Sequence, residues 1–287
     1  MRQLRVWGVL GFVMVLATCA GDRSGLDRKA TIVAVPVHPI AGLVDALAPE
    51  GTLEVIVLVP PGANPATHEP SIQTLRSMAV ARLYLEIGHP AFVFEKTWLN
   101  GALDGSSATR VPLFEDCPMI DDDPHVWLST RCLAKAAAVT ASALASILPA
   151  HSEEIAGNLD RFTSHLEQVI YSTERRLAPH RGEIFFVLHP AWGYLANDND
   201  LQQIEILSHG AVDPGAARIA DLIRLGRAQG VLTVFVQPQF NLAPATLIAE
   251  ELGAIVLPLD PLARDPLLVI ENATSALVTE FERRSSE

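Results

Sequence analysis

The sequence has little lysine, few aromatic residues and few cysteines. Only three of its 21 basic residues are lysine, and the formal net charge is −12. A chain so poor in positive charge lacks the basic patch that binds a phosphate backbone, which argues against nucleic-acid binding. The 287 residues are 49% hydrophobic and 19% charged. This composition excludes global disorder, collagen and coiled coil, and the length allows two ordinary domains.

Long hydrophobic runs are also missing. The longest, residues 6–17, has 12 residues and follows Arg2 and Arg5. It is shorter than the ~20 apolar residues of a membrane-spanning helix and is typical of an export signal. Its end, LATC, resembles the lipobox of bacterial lipoproteins, although threonine is unusual before the cysteine. We therefore predict a lipoprotein signal peptide over residues 1–18, a lipid anchor at Cys19 and a periplasmic or cell-surface location, with a plain secreted protein as the alternative.

Beyond the signal segment the chain has two cysteines, Cys117 and Cys132. An oxidising compartment permits a disulfide between them. The sequence does not show whether their Cα atoms come close enough to be bridged. A disulfide and two unpaired thiols both remain open.

Short β-branched runs alternate with amphipathic stretches along the chain. This alternation is typical of α/β proteins with mostly parallel sheets flanked by helices. The predicted strands are Thr31–Pro36, Leu53–Val59, Arg82–Ile87, Arg110–Leu113, Glu183–Leu188, Gln203–Leu207, Leu232–Val236 and Ala254–Leu257. The predicted helices that flank them are Pro39–Leu47, Ser71–Met78, Ala91–Leu99, Thr130–Leu148, Ala216–Ala228, Pro244–Glu251 and Pro266–Glu282.

One long amphipathic segment, residues 152–177, separates the two halves. It carries a single apolar stripe at helical spacing. At 1.5 Å per residue it would span ~39 Å, enough to join two lobes as a rigid strut. We predict an N-terminal α/β lobe over 19–150, a linking helix over 151–178 and a C-terminal α/β lobe over 179–287. The stripe consists of Ile155, Leu159, Phe162, Leu166 and Ile170.

Three of the nine histidines lie in loops just beyond predicted strands or at a helix entry. They are His68, His125 and His189, and Asp260 follows another strand in the same way. Ligands of open α/β sheets collect outside the carboxyl ends of the strands. Three imidazoles and one carboxylate from four loops make a tetrahedral set that suits Zn²⁺. Taken singly, each is more often a hydrogen-bonded loop residue, and no local H-x-x-x-H or C-x-x-C spacing supports the set.

Five segments, in order, resemble the zinc branch of the zinc/manganese family of ABC-transporter substrate-binding proteins. They are VLVPPGANPATHEPS, DPHVWLS, FFVLHPAWGYLAND, TVFVQPQFN and LPLDPL, spread between residues 57 and 262. The long helix falls between the second and the third, as it does in that family. The resemblance covers essentially the whole mature chain. It implies two α/β lobes joined by a rigid helix, with metal bound where the lobes meet.

The resemblance also implies ligands and a function. His125 and His189 match metal ligands of the family, and Asp260 matches its acidic ligand. Manganese members generally carry glutamate where this chain has His189, which points to Zn²⁺. The implied function is capture of Zn²⁺ and its delivery to an ABC permease and ATPase complex, by a monomer that is not an enzyme.

The first ligand loop departs from the family pattern. The family commonly places histidine directly after proline, where this chain has Ala66, and His68 lies two residues later. His68 would need a small loop shift to reach the metal. His38, at the end of the first strand, is the alternative source of this ligand. The choice between His68 and His38 stays open.

The same residues allow two alternative functions. The first alternative is a binding protein of the same architecture that takes manganese, iron or a metal chelate instead of zinc. A secreted zinc hydrolase would keep three protein ligands and one water, but the sequence has no H-E-x-x-H motif and no nucleophile elbow. Glu69 and Glu205 are candidates for the outer acceptors that fix histidine tautomers.

Overall fold

A computed structural model describes residues 31–99, 101, 106–120, 122–208 and 214–286. The predicted signal peptide and Cys19 lie outside these residues. Among the helices in the described ranges, none has the length and apolar character needed to cross a membrane.

The N-terminal lobe is built on a four-stranded sheet in which all neighbouring strands are parallel. The strand order is β2-β1-β3-β4. The strands are β1 (Thr31–Val35), β2 (Leu53–Val57), β3 (Leu83–Glu86) and β4 (Thr109–Pro112). The helices are α1 (His38–Leu47), α2 (Ile72–Ala79) and α3 (Thr130–Ile147), with a π-helical turn at Glu95–Leu99 and a 3-10 turn at Val126–Leu128.

The C-terminal lobe repeats this topology. Its parallel strands follow the order β6-β5-β7-β8. The strands are β5 (Ile184–Val187), β6 (Gln202–Glu205), β7 (Thr233–Val236) and β8 (Ile255–Pro258). The helices that belong to this half are α5 (Gly193–Asp198), α6 (Ala216–Ala228), α7 (Ala243–Leu252) and α8 (Pro266–Ser286).

The predicted fold class is confirmed, and each of the eight predicted strands is present within two residues of its expected bounds. The helix predicted over 91–99 is present from residue 93, where two α-helical residues lead into the π-helical turn at Glu95–Leu99. Phe92 and Phe94 are both buried. Phe92 precedes the helical residues and Phe94 belongs to them, so the two buried rings are supplied by the loop and by the helix that follows it.

The linking helix α4 (Ser152–Leu177) has 26 residues, as the sequence predicted. It contacts α1 and α3 at the N-terminal lobe and α8 at the C-terminal end of the chain. Asn158 Nδ2 donates to the carbonyl of Leu47 over 2.9 Å, and Thr173 bonds Thr274 over 3.0 Å. The helix is therefore fixed to both halves of the molecule by buried polar contacts as well as by its apolar face.

One hydrophobic core runs through both lobes. It includes Phe114 and Trp127 from the N-terminal lobe and Trp192 and Phe235 from the C-terminal lobe. A smaller cluster around Phe186 fills the other face of the C-terminal sheet. At the interface, Trp127 Nε1 donates to the carbonyl of Pro261 over 3.0 Å. The lobes thus meet through packed side chains, close to the predicted metal ligands.

Cys117 and Cys132 form a disulfide, with their Cα atoms 5.6 Å apart. This bond decides the alternative that the sequence left open. It fastens the acidic segment that precedes His125 to the first turn of α3.

Candidate metal centre

The structure brings His125 and His189 into contact at the lobe interface. Their ring centroids lie 5.3 Å apart with an interplanar angle of 73°. Both residues are 8% exposed. His189 lies just beyond β5, and His125 precedes the 3-10 turn that leads into α3. Each lobe therefore contributes one imidazole from a strand-end loop, as expected for a ligand site in parallel sheets.

Asp123 orients His125. Its Oδ1 atom lies 2.7 Å from His125 Nδ1 and accepts the backbone N–H of His125 over 3.0 Å. A carboxylate that accepts the Nδ1 proton fixes the ring tautomer and leaves Nε2 as the metal-binding nitrogen. Asp123 was not predicted from the sequence as the partner of His125, although the DDDPH run places it two residues before the histidine. Glu69, which was predicted instead, is exposed, and Glu205 pairs with Arg218 at 3.8 Å.

The backbone of His189 is held by Gln237, which is fully buried at the end of β7. Gln237 Oε1 accepts the His189 N–H over 3.1 Å, and Gln237 Nε2 donates to the His189 carbonyl over 2.8 Å. The imidazole stacks on Phe240 at 4.4 Å. Because β5 and β7 are neighbours, the residue that ends one strand supports the loop that follows the other. Gln237 was also missed, although it lies in the TVFVQPQFN segment.

Asp260 lies in the loop after β8 and is held by two hydrogen bonds. Its Oδ1 atom accepts from Gln239 Nε2 over 2.8 Å and from the Leu262 N–H over 2.9 Å. It lines a cavity of about 200 Å³ together with His38 and Arg264. The carboxylate is thus preorganised, but its direct partners are an amide side chain and a backbone N–H rather than a histidine.

His38 is the first residue of α1 and faces the same cavity as Asp260. Burial lowers its pKa, and the positive charge of Arg264 lowers it further, whereas Asp260 acts in the opposite direction. The neutral imidazole, the form that binds metals, is therefore favoured at this position. This geometry keeps His38 in consideration as a ligand.

A smaller cavity, of about 80 Å³, lies beside the histidine pair and is lined by Ala66, Phe92 and Phe240 among others. At the position where the family pattern has a histidine, this chain has Ala66, and Ala66 lines the cavity. His68 stacks on Phe94 instead, with ring centroids 6.3 Å apart. Among the described residues, His68 is not one of those lining this cavity.

Two of the four predicted ligands are therefore in contact, and the other two lie in neighbouring loops. Within the part of the chain that the structure describes, no group of three or more His, Cys, Asp or Glu side chains is close enough together to hold a metal ion. The chemistry of the contacting pair fits Zn²⁺, which favours imidazole nitrogen. The full set of His68, His125, His189 and Asp260 stays a prediction.

Two parallel α/β lobes, one long linking helix and paired histidines at the lobe interface define a class, the metal-type substrate-binding proteins. A sequence model of the family described as "ZnuA: Zinc-uptake complex component A periplasmic" matches residues 33–271. The chain belongs to this family.

Similar proteins agree with this assignment. The "High-affinity zinc uptake system protein ZnuA" of Yersinia pestis is 25% identical over 266 residues, which are 80% of this chain and 82% of that protein. The "Zinc-binding lipoprotein AdcA" of Streptococcus pneumoniae strain R6 is 23% identical over 92% of this chain, which spans only 56% of AdcA. A crystal structure of ZnuA superposes with a TM-score of 0.80 at 28% identity, covering 88% of this chain and 99% of that one.

Proposed function

We propose that this protein captures Zn²⁺ outside the cytoplasmic membrane and delivers it to an ABC permease and its ATPase for import. The observation that carries the proposal is the contact between His125 and His189, one from each lobe, in a chain whose family model is a zinc-uptake component. Relatives named for zinc uptake and zinc binding support the choice of metal. In this function the protein binds its cargo and performs no catalysis.

The proposed ligands are His125, His189 and Asp260, with His68 as the fourth after a shift of its loop and His38 as the alternative. Zn²⁺ takes four nitrogen, sulfur or oxygen ligands at about 2.0–2.3 Å, and in the described residues no third His, Cys, Asp or Glu side chain is placed to hold a metal ion together with the histidine pair. Binding would therefore require Asp260 and the fourth ligand to approach the pair of His125 and His189. Release requires one lobe or loop to move and withdraw a ligand.

The test is a titration of the metal-free protein with Zn²⁺ and with Mn²⁺ in the presence of a competing chelator. We expect one tight zinc site that is lost in His125→Ala and in His189→Ala. His165→Ala, on the exposed side of the linking helix, is the matched control and should bind like the wild type. Preference for Mn²⁺ would favour the manganese-binding alternative, and absence of any site would overturn the proposal.

Two further variants decide the fourth ligand. If His68 supplies it, His68→Ala weakens zinc binding and His38→Ala does not; the reverse result assigns the ligand to His38. Because ligands bind as neutral imidazoles and an ionised carboxylate, zinc affinity should also fall in acid. An affinity that is constant from pH 5 to pH 8 would contradict histidine ligation.

The location has its own test. We propose that Cys19 carries a lipid anchor after removal of residues 1–18. Labelling of cells with a radioactive fatty acid should mark the wild type and leave Cys19→Ala unmarked.

Size-exclusion chromatography with light scattering tests the proposed monomer. Assays with ester and peptide substrates test the hydrolase alternative, and we expect no zinc-dependent hydrolysis from a transport protein.

A further inference from the structure

The hydroxyl of Tyr194 crosses the lobe interface. Tyr194 lies on α5 of the C-terminal lobe, five residues after His189, and is 4% exposed. Its Oη atom accepts the backbone N–H of Ile120 over 3.1 Å and donates to the backbone carbonyl of Asp123 over 3.3 Å. The Asp123 N–H in turn donates to the Ile120 carbonyl over 2.9 Å. A side chain of one lobe thus bridges the two ends of a tight turn in the other.

This turn carries the carboxylate that orients His125. Asp123 is 2% exposed, and its Oδ1 atom bonds both the ring Nδ1 and the backbone N–H of His125. Gly193, which precedes Tyr194, lies directly against the Asp123 carboxylate, since a Cβ atom on Gly193 would be 2.4 Å from Asp123 Oδ2. The start of α5 therefore contacts the backbone of the turn through Tyr194 and the Asp123 carboxylate through Gly193.

The residues just before this turn are attached to the N-terminal lobe itself. The Cys117–Cys132 disulfide ties them to α3. Lys135 Nζ, also on α3, donates to the Asp116 carbonyl over 2.9 Å. One end of the acidic segment is thus bound to its own lobe, and the turn that precedes His125 is bound to the opposite lobe through Tyr194.

We propose that Tyr194 is a positioning residue that makes the direction of His125 depend on how the two lobes meet. The inference rests on the proposed function and deepens it. His189 and Tyr194 belong to the same lobe, so a movement that withdraws His189 from the metal also removes the hydroxyl from the Asp123 turn. One ligand is then lost and the other is released from its orientation. Zinc binding and lobe closure are linked because the closed arrangement alone presents both rings.

Tyr194→Phe is the direct test, because it removes the hydroxyl and keeps the ring. Outer partners of metal-binding histidines change metal affinity by roughly 10- to 100-fold, and we expect the lower end, roughly 10-fold, for this more distant group. The purified full chain is titrated with Zn²⁺ against a chelator, and dissociation is followed by stopped flow. The weakening should lie mainly in the dissociation rate. Tyr171→Phe, with a ring that is 65% exposed on the linking helix, is the matched control.

A second measurement separates positioning from a general loss of stability. In ¹⁵N-resolved NMR of the metal-free protein, the His125 Nδ1–H signal reports the bond to Asp123. Tyr194→Phe should shift or broaden this signal and leave that of His165 unchanged. In a double-mutant cycle, Tyr194→Phe should have little further effect on zinc affinity once Asp123→Asn is present, because both act through one ring.

The outcomes distinguish the two proposals. If the wild type binds zinc and Tyr194→Phe matches Tyr171→Phe in affinity and in the His125 signal, the positioning role is overturned and the proposed function stands. If the wild type binds no zinc, the proposed function fails, and the His125 signal of the metal-free proteins alone decides whether Tyr194 sets the orientation. A lower melting temperature with an unchanged His125 signal also overturns the inference.

Discussion

The two lobes share one sheet topology but hold their central strand ends with different chemistry. In the N-terminal lobe the residues after β3 are held by Glu95, which accepts the Ile87 N–H over 2.7 Å and the Gly88 N–H over 2.9 Å. In the C-terminal lobe the corresponding strand, β7, ends in Gln237, which holds the backbone of His189. The N-terminal lobe therefore holds the end of one central strand, β3, with an ionisable group, and the C-terminal lobe holds the end of its other central strand, β5, with a neutral amide.

This difference predicts different sensitivities for the two lobes. Burial raises the pKa of Glu95 to about 7, against the opposing effect of the two backbone N–H donors. The N-terminal lobe also carries the Cys117–Cys132 disulfide, whereas residues 179–287 contain no cysteine. The N-terminal lobe should therefore respond to pH and to reductant, while His189 of the C-terminal lobe is held by two hydrogen bonds to a neutral amide, which neither affects.

Loss of the neutral clamp should have the largest effect. Gln237→Ala removes both hydrogen bonds to His189. The buried N–H of His189 loses its acceptor, at a cost of roughly 1–3 kcal/mol, and its carbonyl loses one of two donors, at about 1 kcal/mol, while keeping the Ala191 N–H at 2.9 Å. We expect the free energy of unfolding to fall by up to about 4 kcal/mol at pH 7, measured by urea denaturation. Gln229→Ala, at an exposed position after α6, should change it by less than about 0.5 kcal/mol. Similar losses for the two variants would show that the clamp is unimportant.

Glu95→Gln tests the ionisable clamp. The folded-state pKa of Glu95, about 7, exceeds the reference value of 4.5, so the folded state binds the proton more tightly than the unfolded state. The stability contributed by Glu95 is full below pH 4.5 and is lost as the pH rises through 7, on the order of 3 kcal/mol in all. The wild type should lose that much more than Glu95→Gln between pH 4.5 and pH 8.5 in urea denaturation. Parallel pH profiles would contradict the raised pKa.

Removing the disulfide should cost somewhat less. The bond spans 15 residues in sequence, and a loop of this length corresponds to a loss of about 2–3 kcal/mol in the free energy of unfolding. We expect this loss in the double variant Cys117→Ser/Cys132→Ser. Reductant should lower the stability of the wild type by the same amount and leave the variant unaffected. If reductant lowers the stability of both proteins equally, its effect does not come from the Cys117–Cys132 disulfide, and the prediction is wrong.

The smallest effect is expected where the lobes are joined at the surface. Arg264 Nε lies 2.6 Å from Asp45 Oδ2, and both side chains are nearly half exposed. Exposed pairs contribute at most about 1 kcal/mol and are screened by salt. Arg264→Gln and Asp45→Asn should each lower the unfolding free energy by less than that, and the loss should shrink in 1 M NaCl. A loss above 2 kcal/mol would mean that this pair, rather than the buried interface, joins the lobes.

The elements that the sequence predicted well are those with strong local signals. The eight strands are β-branched runs bounded by turn residues, and the linking helix at 152–177 lies between Pro149 and Pro179, which restrict the chain at both of its ends. The helix α5 was missed because six residues are too few to show a helical period. The pattern over 91–99 predicted a helix there but did not reveal its π-helical turn at Glu95–Leu99.

The parts of the site that were missed depend on contacts distant in sequence. Asp123 and Gln237 belong to segments already singled out, yet their roles follow from distances that strand pairing and lobe packing set. The departure at Ala66 was visible in the sequence, but the stacking of His68 on Phe94 was not. Local patterns identify which loops approach the metal site, and the packing of the lobes determines which side chains in those loops face it.

The shared core has a consequence for how the molecule assembles. Phe185, Val187 and Phe235 of the C-terminal sheet belong to the same cluster as the N-terminal aromatic residues. An isolated half would expose this surface to water, at about 25 cal/mol for each Å². The two lobes are therefore partners in a single cooperative folding unit, expected to melt in one calorimetric transition, and a movement that withdraws a ligand has to work by small displacements across this shared core.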